Sequence, residues 1–198
     1  MYILGLTGPI ASGKSFVEDC FKTLGASIID TDAVVHELYT TDIQLCNDVA
    51  EILSAEVRAP EGNICRNKLR TYISDNPEKL NCLEKIVHKK IRQTVSERLH
   101  SLDNQNVSLC ILTVPLMFES PFHTLCDSIV CCNAPKNERK RRALLRPNIT
   151  NGILSIILKK QMGTEQYAEK SDHVIDTNIS KEQTQQDVSE LFTHINTL

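Results

Sequence analysis

The sequence predicts an α/β fold in which helices cover both faces of a mostly parallel β-sheet. Short apolar runs alternate along the chain with segments of helical periodicity, which is the pattern of such a sheet. Two of the runs, Val107–Val114 and Asp127–Cys132, are apolar almost throughout, as is typical of parallel strands buried on both sides. A glycine-rich segment follows the first strand, and ligands of this fold class bind beyond the carboxyl ends of the strands.

The first strand and the first helix enclose a phosphate-binding motif. Tyr2–Leu6 (YILGL) is an apolar strand, and Gly8–Ser15 (GPIASGKS) fits the pattern G-x-x-x-x-G-K-[ST]. Ser15–Leu24 then carries apolar residues at helical spacing until Gly25 ends the helix. Because strand, motif and helix follow in this order, the sequence predicts the three-layer sandwich of P-loop NTPases.

Each part of the motif has a physical role. Gly8 and Gly13 accept backbone angles that a side chain would oppose, so successive N–H groups can converge on phosphate oxygens at a helix N-terminus. Lys14 supplies a cation for the β- and γ-phosphates, and the Ser15 hydroxyl is placed to coordinate Mg²⁺. The residues predicted to contact the nucleotide are Gly8, Ile10, Ala11, Ser12, Gly13, Lys14, Ser15 and Phe16.

A mainly helical region follows the second strand, Ala26–Asp30 (ASIID). It begins with an amphipathic stretch, Ala33–Leu53, and continues through turn residues at Arg58–Asn63. An apolar helical stripe then consists of Leu80, Leu83, Val87, Ile91, Val95 and Leu99. We therefore expect a helical insertion at about residues 33–102 that covers the binding edge of a single domain, residues 1–198.

The second half of the chain returns to the sheet. After the two buried runs, a basic helix over Lys136–Arg146 stops at Pro147, and a further helix covers about Thr150–Met162. His173–Asp176 (HVID) forms the last strand, and Ser180 caps the closing helix. We expect a lid at about residues 136–170.

Composition limits the classes of partner. A net charge of −3 gives no general reason to expect nucleic acid, and no apolar run is long enough to cross a bilayer. No secretory signal is visible. The eight cysteines include no C-x-x-C pair, which favours reduced thiols in a cytoplasmic protein over zinc sites or disulfides.

Several polar residues outside the motif are candidates for chemistry. Asp32 follows the second strand and suits a general base or a magnesium contact, with helix capping as the alternative. The basic segment Lys136–Arg146 suits three roles: a source of cations for phosphoryl transfer, a solvated helix face, or a patch that binds nucleic acid. Glu84 and His88 suit a charge pair or a substrate contact. Glu119 is either a site residue or a turn carboxylate.

Neither a GTP switch nor a nucleic-acid motor fits the sequence. The chain has no D-x-x-G element, Asn67–Arg70 (NKLR) lacks the aspartate of N-K-x-D, and a motor would normally be longer. A small-molecule kinase remains. The segments GLTGPIASGKS, IIDTDAVVHEL, GNICRNKLR, LEKIVH, VPLMFES, NAP and DHVID resemble the dephospho-coenzyme A kinase family, in its order and approximate spacing.

This resemblance implies transfer of the γ-phosphate of ATP to the ribose 3′-hydroxyl of dephospho-CoA, with Mg²⁺. Lys14 and Ser15 would hold ATP and the metal, and Asp32 would be the general base. Arg141 and Arg146 match the lid arginines of the family best, although Arg139 and Arg142 stay open for this role. The residues near Asn178 that would contact adenine also stay open. The acceptor would be contacted by Asp32, Arg66, His88, Leu116, Phe118 and Glu119.

Two other functions are left open by the residues themselves. The same ATP site can serve a nucleotide or nucleoside kinase, which would prefer a nucleoside monophosphate as acceptor. The cluster of arginines and lysines also suits a nucleotide-dependent regulatory or nucleic-acid-binding module, which would bind RNA or DNA in a salt-sensitive way. We expect a monomer, with weak association as the alternative.

Overall fold

The structure, a computed structural model, describes residues 1–147 and 149–197, and these contain five β-strands and nine α-helices. Strands β1 to β5 are Tyr2–Thr7, Ser27–Asp30, Leu109–Thr113, Ser128–Asn133 and His173–Asp176. Helices α1 to α9 are Lys14–Thr23, Thr31–Thr41, Ile43–Ile52, Arg66–Asp75, Leu80–Asn104, Lys136–Leu144, Asn151–Lys160, Thr164–Lys170 and Lys181–Ile195. None of these helices is both long and apolar enough to span a membrane.

The chain divides into two compact units. The sheet unit comprises Met1–Ile29 and Ser101–Leu198, and the helical unit comprises Asp30–His100. The helical unit overlaps the stretch where the sequence predicts a helical insertion, about residues 33–102. The division into one domain with an insertion and a lid stays a prediction, and positions 148 and 198 of the predicted ranges lie outside the described residues.

The sheet has the strand order β2-β3-β1-β4-β5, which places β1 at its centre. β1 pairs in parallel with β3 and β4, and β4 pairs in parallel with β5. Leu4 lies between Ile111 on one side and Ser128 on the other. Parallel strands put their carboxyl ends at one edge, so the loops after β1, β3, β4 and β5 meet there. The predicted α/β fold with a mostly parallel sheet is confirmed.

The main core of the sheet unit lies between the sheet and helices α1 and α9. β3 is buried along its whole length, as expected for a strand covered on both faces. Phe21 of α1 is fully buried and is one of the largest side chains in this cluster. Its buried members are Leu4, Leu6, Val17, Cys20, Phe21, Ala26, Leu109, Ile111, Val130, Cys132, Ile175, Val188 and Ile195.

The predicted amphipathic stretch at Ala33–Leu53 is interrupted at Asp42. The residue has extended backbone angles, and its Oδ1 accepts a hydrogen bond of 2.8 Å from the Leu45 N–H, so it caps α3. Its Oδ2 lies 2.8 Å from the Lys90 ammonium, and this contact lowers the pKa of the Asp42 carboxyl. A cap and an ion pair at one residue thus divide the stretch into two helices.

The lid region contains one helix more than predicted. The basic helix α6 ends at Leu144 rather than Arg146, and α7 is capped by the Thr150 hydroxyl. The additional helix, α8, starts after Gly163, whose N–H donates to Gln166 Oε1 at 2.9 Å. The predicted cap of the closing helix by Ser180 is confirmed.

The cluster beneath the sheet should carry much of the stability. We expect Phe21→Ala to lower the free energy of unfolding by about 3–5 kcal/mol, because it leaves a cavity in a closely packed core. Leu145→Ala is the control, since that side chain is 72% exposed, and should change stability by about 0.5 kcal/mol or less. Urea denaturation of both variants measures this, and equal losses would contradict the assignment of the core.

Candidate active site

The loop between β1 and α1 is built to present backbone N–H groups. Gly8, Ala11 and Gly13 have positive φ angles of 141°, 60° and 89°. Ser12 N–H donates to Pro9 O at 3.2 Å across the turn. Gly13 is the N-cap of α1 and contributes no side-chain hydrogen bond. A ligand anion can therefore serve as the cap of α1, where the helix dipole also favours negative charge.

Close packing explains why two of these positions are glycine. A Cβ atom on Gly8 would lie 2.5 Å from Cys132 O of β4, and one on Gly13 would lie 2.9 Å from Thr177 Cβ. Both distances are shorter than any normal contact. The loop backbone therefore packs directly against the end of β4 and against Thr177.

The motif's lysine and serine are presented at the start of α1. Lys14 Nζ donates to Gly8 O at 2.6 Å and to Pro9 O at 3.2 Å, so its ammonium folds back over the loop. Ser15 is exposed in the first helical turn. Within the described residues, no three His, Cys, Asp or Glu side chains are gathered for a metal ion. A metal ion at this position would therefore draw mostly on oxygens of a ligand and of water.

Thr177, just after β5, ties the loop to its surroundings. Its Oγ1 lies 2.7 Å from Ser12 O and 3.0 Å from Asn133 O, so the hydroxyl proton is shared between two carbonyls. Arg142 of α6 donates to Thr177 O at 2.9 Å. One buried threonine thus joins the phosphate loop, the end of β4 and the basic helix.

A cavity of about 640 Å³ opens beside the loop. A pocket of this size lies in the range that accommodates small ligands and cofactors. The buried Asn133 Oδ1 in its wall has no hydrogen-bond partner, and the same holds for Ser12 Oγ in the loop. Gln161 Oε1 accepts the Ile10 N–H at 2.9 Å, which joins the segment after α7 to the loop. The lining residues are Pro9, Asn133, Ala134, Pro135, Lys136, Arg139, Leu158, Gln161, Met162, Gly163, Thr164, Glu165 and Asp176.

The four candidate lid arginines have different surroundings. Arg139 is buried, with Nε donating to Ala134 O at 3.0 Å, and burial lowers its pKa. Arg141 and Arg142 both donate to the Glu138 carboxylate, and these hydrogen bonds lower the pKa of Glu138 to about 2. Arg141 and Arg146 are exposed. Arg139 and Arg142 therefore hold the cavity wall and the loop, whereas Arg141 and Arg146 face solvent.

The segment after β3 is anchored to the lid region. Glu119 Oε1 accepts hydrogen bonds from Tyr167 Oη at 3.0 Å and from the Met162 N–H at 3.2 Å. Burial and then Glu119 raise the pKa of the Tyr167 phenol. Phe118 packs against the Tyr167 ring at 6.0 Å, and Leu116 is exposed. Glu119 thus makes structural contacts with the lid region, whereas the sequence offered either a site residue or a turn carboxylate and did not predict these partners.

The remaining predicted residues, Asp32, Arg66 and His88, belong to the helical unit. Asp32 is exposed in the first turn of α2, and the cap of that helix is Asp30, whose Oδ1 accepts the Asp32 N–H at 2.9 Å. The capping alternative considered for Asp32 therefore applies to Asp30. Arg66 begins α4. His88 is exposed on α5. The ion pairs of the described residues do not include one between His88 and Glu84.

Two residues that support the loop, Thr177 and Gln161, were not predicted. Each contacts backbone atoms more than 150 residues away in the sequence. Backbone partners leave no signature in side-chain patterns, so the sequence did not indicate either contact.

Comparison with known proteins adds a family match. The model of a family described as dephospho-CoA kinase matches residues 2–183. Relatives named dephospho-CoA kinase are 34% identical in Bartonella quintana and 32% identical in Bartonella henselae, each alignment covering 95% of both chains. A Thermus thermophilus structure superposes with a TM-score of 0.81 at 25% identity, covering 98% of this chain and 97% of that one. A dephospho-CoA kinase structure from Campylobacter jejuni has a TM-score of 0.75 at 24% identity, with the same coverage, and supports the fold.

The packing of the phosphate loop can be tested with a pair of glycine variants. Gly8 and Gly25 both have positive φ, but a Cβ atom on Gly25 would meet nothing within 4 Å. We expect Gly25→Ala to cost about 1–2 kcal/mol of stability from backbone strain and to leave ATP affinity unchanged. Gly8→Ala adds a clash with β4 and should weaken ATP binding by at least roughly tenfold, about 1.4 kcal/mol.

Isothermal titration with ATP and urea denaturation distinguish the two effects. Equal ATP affinity in the Gly8→Ala and Gly25→Ala proteins would show that the close approach of the loop to β4 has no role in binding.

Proposed function

The chain belongs to the dephospho-CoA kinase family, and from this premise we propose that it phosphorylates the ribose 3′-hydroxyl of dephospho-CoA with ATP. The products are coenzyme A and ADP, so the reaction is the last step of coenzyme A synthesis. One observation carries the proposal: the family match extends over residues 2–183, which include the phosphate loop and all the predicted site residues.

ATP binds at the loop between β1 and α1. Its β- and γ-phosphates take the position that the N-terminus of α1 offers to an anion, with N–H groups of the loop as donors. Lys14, which folds over the loop, transfers its hydrogen bonds from the Gly8 and Pro9 carbonyls to phosphate oxygens. The cavity beside the loop has a size that suits the nucleoside of ATP.

Magnesium is the cofactor in this proposal, and the residues present fit it. Ser15 places a hydroxyl in the first turn of α1, beside the position of the phosphates. When bound, the ion neutralises charge on the β- and γ-phosphates of ATP. The protein contributes a hydroxyl ligand, since magnesium keeps several of its water molecules in kinase sites.

Asp32 is the general base in this mechanism. Its carboxylate accepts the proton of the ribose 3′-hydroxyl as the oxygen attacks the γ-phosphorus and ADP leaves. The exposed position in the first turn of α2 supports the role, because a substrate hydroxyl group can approach the carboxylate there. The resemblance assigns contacts with dephospho-CoA to Arg66, His88, Leu116, Phe118 and Glu119, in addition to Asp32.

Arg141 and Arg146 act as the lid arginines. Phosphoryl transfer depends on positioning and on positive charge along the transferred group. Both side chains face solvent. Within the described residues, the carboxylate that Arg141 contacts is that of Glu138. Exchange of this exposed ion pair for a phosphate costs little, because water screens the charges of a pair at the surface.

The proposal places the enzyme in the cytoplasm as a monomer. All eight cysteines are free thiols, and most are buried, which fits a reducing compartment. Burial raises the pKa of Cys110 and Cys126 to about 12, so these thiols stay protonated and unreactive at neutral pH. An oxidised cysteine pair recovered from rapidly quenched cells, or a dimer mass by light scattering, would contradict these two points.

The substrate assignment is tested by ADP release from Mg²⁺ and ATP in the presence of dephospho-CoA, a nucleoside monophosphate or no acceptor. We expect release that depends on dephospho-CoA, with coenzyme A identified by mass, and its loss in Lys14→Ala. Release that depends on a nucleoside monophosphate would instead identify a nucleotide kinase, and salt-sensitive RNA binding without release would identify a binding module.

The role of Asp32 is tested by Asp32→Asn. We expect kcat to fall by about 100-fold or more, since general-base assistance contributes roughly 10²–10⁴-fold, while the Kd for ATP is unchanged. Asp75→Asn, at an exposed position in the same helical unit, is the matched control and should retain full kcat. Near-normal turnover of Asp32→Asn would remove the residue from the mechanism.

A further inference from the structure

A carboxylate that the phosphate-binding motif does not include lies at the base of the loop. Glu18 belongs to α1, one turn beyond Ser15, and its Oε2 accepts a hydrogen bond of 2.5 Å from the Thr113 hydroxyl at the end of β3. The two residues are 95 positions apart in the sequence. This contact fixes the Glu18 side chain on the sheet side of α1.

The position of Thr113 locates that carboxylate at the binding edge. Thr113 pairs with Leu6 of β1, two residues before the phosphate loop begins at Gly8. The Val114 N–H donates to Leu6 O at 3.0 Å, and the Thr7 hydroxyl donates to Val114 O at 2.9 Å, which holds the two strand ends side by side. Thr113 therefore marks the point where the loop leaves the sheet.

Helix geometry places Glu18 and Ser15 on the same side of α1. Residues three apart on a helix are neighbours, and helical side chains lean toward the N-terminus. The Glu18 carboxylate consequently leans toward the first turn of α1, where the motif holds phosphates and metal. Its hydrogen bond to Thr113 agrees with this direction, because Thr113 ends its strand beside the loop.

Neither β1 nor the two strands that pair with it end in an acid. In P-loop enzymes the magnesium ion is held by the loop Ser or Thr together with an aspartate from a separate segment, the Walker B motif. Here β1, β3 and β4 end in the neutral residues Thr7, Thr113 and Asn133. Asp176 ends β5, on the far side of β4, and its Oδ1 accepts the Asn178 N–H at 2.7 Å.

We propose that Glu18 is the carboxylate that completes the magnesium site, by accepting hydrogen bonds from water molecules on the ion. The proposal rests on the proposed function, because it concerns the metal of the ATP substrate complex. Glu18 is a positioning residue for the ion, and Thr113 orients its carboxylate. Partners of this outer kind typically contribute about 10- to 100-fold to metal affinity.

This role makes a prediction that a purely structural role would not. A carboxylate next to the phosphates repels ATP when no metal is present and attracts the complex of ATP with magnesium. Removal of the charge should therefore leave metal-free ATP binding equal or tighter, and should weaken binding in the presence of magnesium. A loss of protein stability alone would weaken ATP binding both without metal and with magnesium.

Glu18→Gln is the variant for the test, because the amide oxygen can still accept the Thr113 hydrogen bond. Isothermal titration measures the Kd for ATP with excess EDTA and with saturating Mg²⁺, and electron paramagnetic resonance measures Mn²⁺ affinity for the ATP complex. The quantity of interest is the Kd for ATP with EDTA divided by the Kd for ATP with Mg²⁺. We expect this ratio to fall by about 10- to 100-fold in Glu18→Gln, and the Mn²⁺ affinity to fall by about the same factor. An unchanged ratio in a folded protein would overturn the proposal.

Asp19→Asn is the matched control. It removes one negative charge from the neighbouring position of α1, where the side chain is exposed. The control should retain the wild-type ratio, and an equal fall in both variants would show a general charge effect and reject the assignment. If Glu18→Gln does not fold, Thr113→Val removes the orienting hydrogen bond instead, and an unchanged ratio in that protein overturns the proposal.

The two proposals fail in different ways. A wild-type protein that binds ATP with magnesium but does not phosphorylate dephospho-CoA contradicts the proposed function, while the effect of Glu18→Gln on metal binding still decides the present inference. A wild-type protein whose ATP affinity is the same with EDTA and with magnesium contradicts the inference directly.

Discussion

The backbone of the phosphate loop lies so close to β4 and to the segment after β5 that two of its residues have no room for a side chain. This constraint organises the rest of the sheet unit. The N–H groups of the loop converge on a phosphate while its backbone packs against the edge of the sheet. This packing requires Gly8 and Gly13 to keep positive φ angles, which other residues resist. Thr177 then holds the loop from the other side through the Ser12 carbonyl.

The central position of β1 provides the support that this loop needs. β3 and β4 flank it on both sides, and buried side chains of α1 and α9 pack beneath it. A loop that leaves the centre of a sheet is bordered by the ends of two other strands, so residues distant in the sequence reach it. Thr177, which follows β5, is an example, because its hydroxyl contacts both Ser12 O of the loop and Asn133 O of β4.

Sequence reasoning identified the features that depend on local order. The phosphate loop is eight consecutive residues, and the alternation of apolar strands with helices is visible in short windows, so both could be predicted. The hydrogen bonds of Thr177, Gln161 and Glu119 join side chains to distant backbone or to short helices such as α8, and no periodic pattern records them. The break at Asp42 was missed because a cap and an ion pair, rather than a proline or glycine, interrupt the amphipathic pattern.

The contacts of the lid region differ in their response to ionic strength. The bond between Gln161 and the Ile10 N–H joins neutral groups, whereas Arg141 is held to Glu138 by opposite charges near the surface. Dissolved salt screens exposed charges and leaves neutral hydrogen bonds almost unaffected. A rise in salt concentration therefore weakens the attraction between Glu138 and Arg141, while the hydrogen bond between Gln161 and the loop persists.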